Sequence, residues 1–170
     1  MPSSKPGAST AMNKRALIKK IVAQLTSGLE AYLRAARAAH AEATHESSKA
    51  ENKYDTRGLE ASYLAHGQSK QAMEIEAAIA AFEKLDARTF GPSEPIDLGA
   101  LVELESAGER TLYFIGPKAG GTEVIHQKRE VLVITPQSPL GEQLMGRKQG
   151  DVLQMNIAGA RNQHRVTRVE

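Results

Sequence analysis

Residues 17–41 read LIKKIVAQLTSGLEAYLRAARAAHA, and this stretch decides the fold of the first half of the chain. Its mostly apolar side chains recur at alternating spacings of four and three residues, the heptad rhythm of helices packed along one seam. The rhythm returns after a short polar interruption, which requires the two helices to run antiparallel as one hairpin. The seam positions are Ile18, Val22, Leu25, Leu29, Tyr32, Ala36, Ala39 and Ala43, then Ala61, Leu64, Gln68, Gln71, Ile75, Ala78, Phe82 and Leu85, with the two glutamines as polar exceptions.

The seam changes character along the hairpin. Large apolar residues occupy its base, whereas alanine dominates towards the turn between the helices. Small seam residues let two backbones approach closely, which favours a thin projection suited to a narrow passage. Alanine is also the strongest helix former at weakly buried positions, so both interpretations remain open. At ~1.5 Å per residue, arms of this length give a projection of roughly 50 Å.

The second half of the chain has a different apolar period. Gly91-Pro92-Ser93-Glu94-Pro95 cannot continue a helix, because proline lacks the backbone donor and restricts the residue before it. Beyond this break the period shortens towards two, which predicts strands and hence a compact α+β domain. The predicted elements are five strands, at residues 101–105, 111–115, 131–135, 152–157 and 163–169, and one short helix at residues 141–145.

The composition excludes several classes of protein. The absence of cysteine rules out disulfides and Cys-ligated zinc. A net charge of +2, nearly balanced in both halves, disfavours a basic nucleic-acid surface. No apolar run approaches the ~20 residues of a membrane span, and residues 1–12 read as a disordered tail. We therefore expect a cytoplasmic protein without membrane contact. We expect no metal site among the histidines, and we expect His66, His126 and His164 on the surface.

A series of short motifs occurs in order along the second half. Ile96-Asp97-Leu98-Gly99, Val102-Glu103-Leu104 and Ile115-Gly116-Pro117 precede Ser138-Pro139-Leu140-Gly141, which a short helix separates from Gly146-Arg147-Lys148-Gln149-Gly150-Asp151. This series, behind a hairpin of suitable length, resembles the C-terminal domain of the bacterial Gre transcript-cleavage factors, the GreA/GreB family. The resemblance covers residues 14–170.

The resemblance implies both a fold and a mode of action. The fold is α+β, with an N-terminal antiparallel coiled-coil hairpin at residues 13–88, whose tip lies near residues 44–52. An FKBP-like domain with a small, mainly antiparallel sheet follows at residues 89–170. This domain is expected to dock at the outer rim of the RNA polymerase secondary channel, through a loop formed by Ser138, Pro139, Leu140 and Gly141.

In this family the hairpin tip reaches the catalytic centre of the polymerase. There its acidic residues help to hold a second Mg²⁺ and to orient a water that cleaves backtracked RNA. The resemblance therefore implies that this protein is not itself an enzyme. It would need no cofactor of its own, because the Mg²⁺ belongs to the polymerase active site.

The tip departs from the family pattern. Glu51-Asn52 falls where the family has an acidic residue followed by asparagine, but Ser48 stands where the family has an aspartate. A neutral hydroxyl is a weaker Mg²⁺ ligand than a carboxylate. Glu46 and Asp55 lie nearby and could substitute, although at other spacings. Glu51 also has a structural explanation, because Ser48-Lys49-Ala50-Glu51 has the spacing of a capping box.

Three functions remain open at this point. The first is a Gre-like factor that stimulates transcript cleavage, and the second is a regulator that occupies the channel and competes with Gre factors without supporting cleavage. The third, a peptidyl-prolyl isomerase, needs an aromatic-lined pocket that Tyr113, Phe114 and Phe90 supply poorly. We expect a monomer, because the hairpin satisfies its own heptads. Pro139 and Leu140 either pack under the sheet or face the polymerase.

Overall fold

The computed structural model describes residues 11–44, 57–157 and 159–170. Two long helices come first, and a sheet domain with one short helix follows. The helices are α1 (Lys14–Thr44), α2 (Arg57–Glu83) and α3 (Pro139–Leu144). The strands are β1 (Leu101–Ser106), β2 (Glu109–Ile115), β3 (Glu123–His126), β4 (Arg129–Ile134), β5 (Val152–Ile157) and β6 (Ala160–Val169).

The two long helices pack against each other in opposite directions. Phe82, near the end of α2, lies in one apolar cluster with Leu17 and Ile21, near the start of α1. One turn further along, Leu25 lines the same groove as Ile75. The sequence prediction of an antiparallel pair is therefore confirmed at this end of the helices.

The root of the helix pair is the part that meets the sheet, and we define it as residues 14–25 and 75–85. The shaft is the rest of the two helices, residues 26–44 and 57–74. Leu17, Ile21 and Phe82 of the root are fully buried. Among the described side chains of the shaft, only Ala72 is buried.

The sheet has six strands in the order β3-β4-β2-β1-β6-β5. Strands β2 and β4 are parallel, whereas all other neighbours are antiparallel. The prediction of five strands was wrong because it omitted β3. This strand has only four residues, and it joins β4 through Gln127 and Lys128, both in the left-handed region at φ 50° and 64°. Such a turn normally carries Gly or Asn, and Gln127 and Lys128 carry no such signal.

The sheet is covered on both faces. One face contributes Leu112, Phe114 and Val131 to the cluster with the root. The opposite face packs Leu104 and Val166 against Leu144 of α3, together with the segment that precedes β1. The root, the sheet and the α3 layer thus form three layers, and the helix pair is continuous with the core of the sheet domain.

Candidate functional site

The predicted tip lies outside the part of the chain that the structure describes. Glu46, Ser48, Glu51, Asn52 and Asp55 all lie outside the described residues. Their roles at the polymerase active centre therefore stay predictions from the sequence.

The loop before α3 is built around a serine cap. The Oγ of Ser138 accepts a hydrogen bond from the N–H of Gly141 at 3.1 Å and donates one to the C=O of Thr135 at 2.7 Å. Ser138 is thereby the N-cap of α3, and Pro139 occupies the first turn, where its missing N–H is not needed. The Ser-Pro pair thus sets where α3 begins.

Gly141 is required by a close backbone contact. A Cβ atom at this position would lie 1.9 Å from the C=O oxygen of Thr135, so no other residue fits without moving the chain. The contact holds the first turn of α3 against the end of β4. Gly141 therefore has a structural role that is independent of any partner.

The two middle residues of the loop differ in exposure. Leu140 is half-buried and packs against the apolar cluster under the sheet, whereas Pro139 is exposed. Packing accounts for Ser138, Gly141 and part of Leu140. Pro139 is the loop residue presented outward, and its contact with a partner stays a prediction.

A groove lies beside this loop, between the helix pair and the sheet domain. Its volume is about 540 Å³, and Leu25, Ile75 and Ala78 line it on the helical side. The opposite wall consists of residues 117–120 and Thr135, the residue whose carbonyl binds Ser138. The groove and the loop before α3 therefore share one residue, Thr135, at the junction of the two parts of the molecule.

The root is fastened to the sheet domain by Lys14. Its Nζ donates to the C=O of Gly99 at 3.0 Å and to the C=O of Glu170 at 2.9 Å, and lies 4.7 Å from the ring centre of Phe90. Burial and the neighbouring Arg88 lower the pKa of Lys14 to about 8. The sequence prediction overlooked this residue, although its position one helical turn before Ile18 places it on the seam side of α1.

Glu170 receives a second bond from the start of the helical part. Its side chain accepts from the N–H of Met12 at 3.0 Å and forms an ion pair with Arg168. Gly99, the other acceptor of Lys14, belongs to the first motif of the series and has φ 87°, a conformation that favours glycine. Part of the recognisable motif series therefore serves to hold the root.

A buried carboxylate connects four strands. Glu103 of β1 accepts from Arg129 of β4 at 2.6 Å and from the Oγ1 of Thr167 of β6 at 2.8 Å, and Arg110 of β2 lies 3.7 Å away. Burial alone would raise the pKa of Glu103, but the hydrogen bonds from Arg129 and Thr167 outweigh it and hold the pKa below its usual value. Because every partner belongs to the sheet, this cluster is a structural clamp.

His126 is buried, so the expectation that it lies on the surface was wrong. It is 6% exposed, and neither ring nitrogen has a hydrogen-bond partner among the described residues. Burial and the nearby Lys20 lower the pKa of His126, which keeps the ring neutral at pH 7. The Nζ of Lys20 donates to the C=O of the adjacent Ile125 at 2.7 Å, which fixes α1 along β3.

Phe114 and Phe90 are both buried in the interior of the protein. Phe114 is fully buried and stacks on Phe82 with ring centres 6.3 Å apart. Phe90 is 3% exposed and lies beneath Arg88, whose guanidinium carbon is 3.7 Å from the ring centre. Neither ring is free to line a proline pocket.

The described part of the chain offers no intrinsic metal centre. Within residues 11–44, 57–157 and 159–170, no three His, Asp or Glu side chains come together to hold an ion. No helix in these ranges combines the length and apolarity needed to cross a membrane.

Comparison with known proteins identifies the family. The transcription inhibitor protein Gfh1 of Thermus thermophilus is 32% identical over 123 residues, which cover 68% of this chain and 72% of the relative. Gfh1 stands for GreA factor homolog 1, the name under which the Thermus thermophilus protein was crystallised. The chain belongs to the GreA/GreB family. Gfh1 of Thermus aquaticus, a second relative in this family, is 30% identical over 122 residues, which cover 68% of this chain and 71% of the relative.

Structural comparison finds members of the same family with loose superpositions. The crystal structure of Thermus thermophilus Gfh1 aligns with 88% of this chain and 94% of its own, at a TM-score of 0.37 and 26% identity. The GreA/GreB factor of Nitrosomonas europaea aligns with 69% of this chain and 94% of its own, at a TM-score of 0.36 and 19% identity. Family membership therefore follows from the sequence similarity. No model in a collection of protein-family models matches the chain.

Proposed function

We propose that this protein binds RNA polymerase at its secondary channel and restrains transcription there without stimulating transcript cleavage. The sheet domain docks at the outer rim, and the helix pair reaches towards the catalytic centre. The observation that carries this proposal is the similarity to Gfh1, which is named a transcription inhibitor. A cytoplasmic location follows from the proposed partner.

The tip sequence supports an inhibitor over a cleavage factor. Holding an additional Mg²⁺ against RNA takes hard anionic oxygens, and carboxylates supply them better than hydroxyls. Ser48 replaces the first of the two acids that the family's cleavage factors carry, and Glu51 alone remains at the expected spacing. A tip with one carboxylate can occupy the channel while supplying only half of the metal ligands.

The root supports the mechanical part of the proposal. A projection positions its tip only if its base is fixed relative to the docking domain. Lys14 is bonded to Gly99 and Glu170, and Phe82 is stacked on Phe114, so the base of the helix pair is part of the domain core. Docking of the sheet domain would then determine the direction of the shaft.

Stimulation of transcript cleavage is the second candidate function, and Glu51-Asn52 favours it. In that case Glu51 would contribute a carboxylate to the Mg²⁺ of the polymerase, with Glu46 or Asp55 in the role of the missing aspartate. The protein would still act as an accessory factor with no cofactor of its own, in contact with backtracked RNA through the tip.

RNA cleavage in purified backtracked elongation complexes distinguishes the two. We would add this protein, its Glu51→Ala variant and its Ser48→Asp variant, each alone and together with an authentic Gre factor. The inhibitor predicts no cleavage by the wild type or Glu51→Ala and suppression of the Gre factor by both, whereas Ser48→Asp, which restores the first acid, should gain cleavage. Cleavage by the wild type that disappears in Glu51→Ala would overturn it in favour of the second function.

A paired substitution tests the docking surface. Pro139→Glu places a charge on the exposed residue of the loop, and Gln137→Glu places the same charge two residues earlier on an exposed side chain. We expect Pro139→Glu to weaken polymerase binding by about tenfold or more, and Gln137→Glu to have a smaller effect. Equal binding of both variants and the wild type would mean that another surface docks.

A further inference from the structure

The two edge strands of the sheet differ in length, charge and cover. Strand β3 forms one edge, has four residues and begins with the charged Glu123. The carbonyl of Ile125 on this strand accepts from the Nζ of Lys20 at 2.7 Å, so α1 covers the edge. Shortness, charge and cover are the usual ways in which proteins prevent a sheet edge from pairing with another chain.

Strand β5 forms the other edge and, within the part of the chain that the structure describes, has none of these protections. Its sequence, VLQMNI, contains six residues without a charge, a proline or a glycine. Leu153 and Met155 point into the core at 3% and 4% exposure, whereas Val152, Gln154 and Asn156 are exposed. A regular, uncharged strand of this length is competent to pair with a further strand.

The hydrogen-bond pattern shows which backbone groups are available. The N–H of Val166 on β6 donates to the C=O of Asp151 at 2.8 Å, immediately before β5 begins. Because bonded residues alternate along an antiparallel ladder, Leu153 and Met155 bond to β6. The N–H and C=O groups of Val152, Gln154 and Asn156 therefore point away from the sheet.

The charge beside this edge is positive. Arg165 and Arg161 of β6 lie directly opposite Val152 and Asn156, and residues opposite each other share a face of the sheet. Both arginines are exposed, and neither has an ion-pair partner among the described residues.

Glu105, on the neighbouring strand β1, already forms an ion pair. Glu105 of β1 lies opposite Arg165, but its Oε2 accepts from the Nε of Arg110 at 2.9 Å. Arg110 thus neutralises Glu105, which leaves Arg165 without competition from this carboxylate. A strand added outside β5 would lie about two strand spacings from β6, roughly 10 Å, within reach of an extended arginine and an acidic side chain together.

We propose that the β5 edge binds an extended, acidic segment of a partner protein as a seventh strand of the sheet. The segment's backbone pairs with Val152, Gln154 and Asn156, and its acidic side chains reach Arg161 and Arg165. A second copy of this chain fits less well, because antiparallel pairing of two β5 edges would bring two sets of arginines to one face. This site is separate from the loop before α3 and does not depend on the proposed function.

The first experiment uses a synthetic peptide of about ten residues in which glutamate alternates with valine. Titration into the full-length protein, followed by amide NMR signals, should shift the resonances of residues 152–156 and slow their hydrogen exchange. A matched peptide with lysine in place of glutamate should bind about tenfold more weakly or worse. Failure of the glutamate peptide to bind, or shifts that map to another surface, would overturn the proposal.

A backbone variant and a matched control on the other edge test the pairing geometry. Gln154→Pro removes an outward N–H while leaving the bonds between β5 and β6, a substitution that edge strands tolerate. It should abolish peptide binding with little change in melting temperature, whereas Ile125→Lys on the other edge should leave binding unchanged. Unaltered binding by Gln154→Pro would contradict pairing at this edge.

A charge-reversal variant keeps the test valid if Gln154→Pro fails to fold. Combined Arg161→Glu and Arg165→Glu substitutions should reverse the preference, so that the lysine peptide binds better than the glutamate peptide. An unchanged preference would overturn the role of the arginines. Sedimentation of the wild type completes the test. A dimer that Gln154→Pro disrupts would show that the β5 edge binds a second copy of this chain and not an acidic partner.

Discussion

The root and the shaft of the helix pair belong to the same two helices but are stabilised in different ways. The root has side chains that are fully buried against the sheet, and it is tied down by the bonds of Lys14. In the shaft, Leu29 and Tyr32 are only half-buried, so helix propensity and the contact between the two helices must stabilise it. The difference shows that one heptad pattern can encode a structural core at one end and a projection at the other.

The largest expected effect on stability comes from removing a large buried side chain from the root. Phe82 is fully buried and stacked on Phe114, so Phe82→Ala should lower the free energy of unfolding by about 3–5 kcal/mol. Leu29→Ala in the shaft should lower it by about 1–2 kcal/mol, because its side chain is half-exposed. Urea unfolding of the two variants measures the difference, and equal losses would erase the distinction between root and shaft.

Glycine-to-alanine substitutions should act with opposite signs in the two regions. At Gly116, under the root, a Cβ would lie 2.7 Å from the Cζ of Phe82 and 2.8 Å from the Cγ1 of Val133, so Gly116→Ala should destabilise by about 1–3 kcal/mol. At Gly28 in the shaft a Cβ would meet nothing within 4 Å. Gly28→Ala should stabilise by about 0.5–1 kcal/mol, because alanine favours the helix. Thermal unfolding followed by circular dichroism gives both signs, and a stabilising Gly116→Ala would mean that Phe82 is loosely packed.

The lowered pKa of Lys14 makes the stability of the root depend on pH. Its folded pKa is about 8 and its ordinary value is 10.5, so between these values the unfolded chain holds the proton more tightly. Folding stability contributed by Lys14 is therefore fully present above pH 10.5 and is lost as the pH falls towards 8. Raising the pH through this window should stabilise the wild type relative to Lys14→Met, as measured by urea midpoints. Parallel pH profiles for the two proteins would show that Lys14 keeps its ordinary pKa.

The smallest effect is expected from His126, which lies between the root and β3. Its pKa is lowered from 6.5 in the folded protein, so its contribution to stability is present above pH 6.5 and is lost as the pH falls through the folded pKa. The wild type should lose more stability than His126→Leu between about pH 7.5 and pH 5. If both proteins lost the same amount, the ring would be titrating as an exposed histidine.

The sequence predicted most of the fold because its signals were local. The heptads located α1 and α2, and short apolar runs and alternation beyond the Gly91–Pro95 break located all strands except β3. Strand β3 was missed because its turn uses Gln127 and Lys128, which carry no turn signature. Composition and period cannot reveal such a turn.

The functional residues were harder to interpret because long-range contacts decide their roles. The Ser138–Gly141 motif was recognised, but its tight fit depends on Thr135, whose carbonyl meets it only in the folded chain. Lys14 was overlooked, because its acceptors lie 85 and 156 residues away in the sequence. The tip residues were interpreted through the family and, for Ser48 and Glu51, through the spacing of a capping box.

The position of β6 has a consequence for how the protein is made. It is the last strand of the sheet along the chain, yet it lies between β1 and β5. During synthesis the helices and the first five strands leave the ribosome before β6, so the flank of β1 stays open and Val102 and Leu104 lack part of their cover. The sheet can close only when the final strand inserts, a non-local step that should limit the folding rate. A nascent chain of this protein therefore carries its longest helices early and keeps the flank of β1 open until β6 has been synthesised.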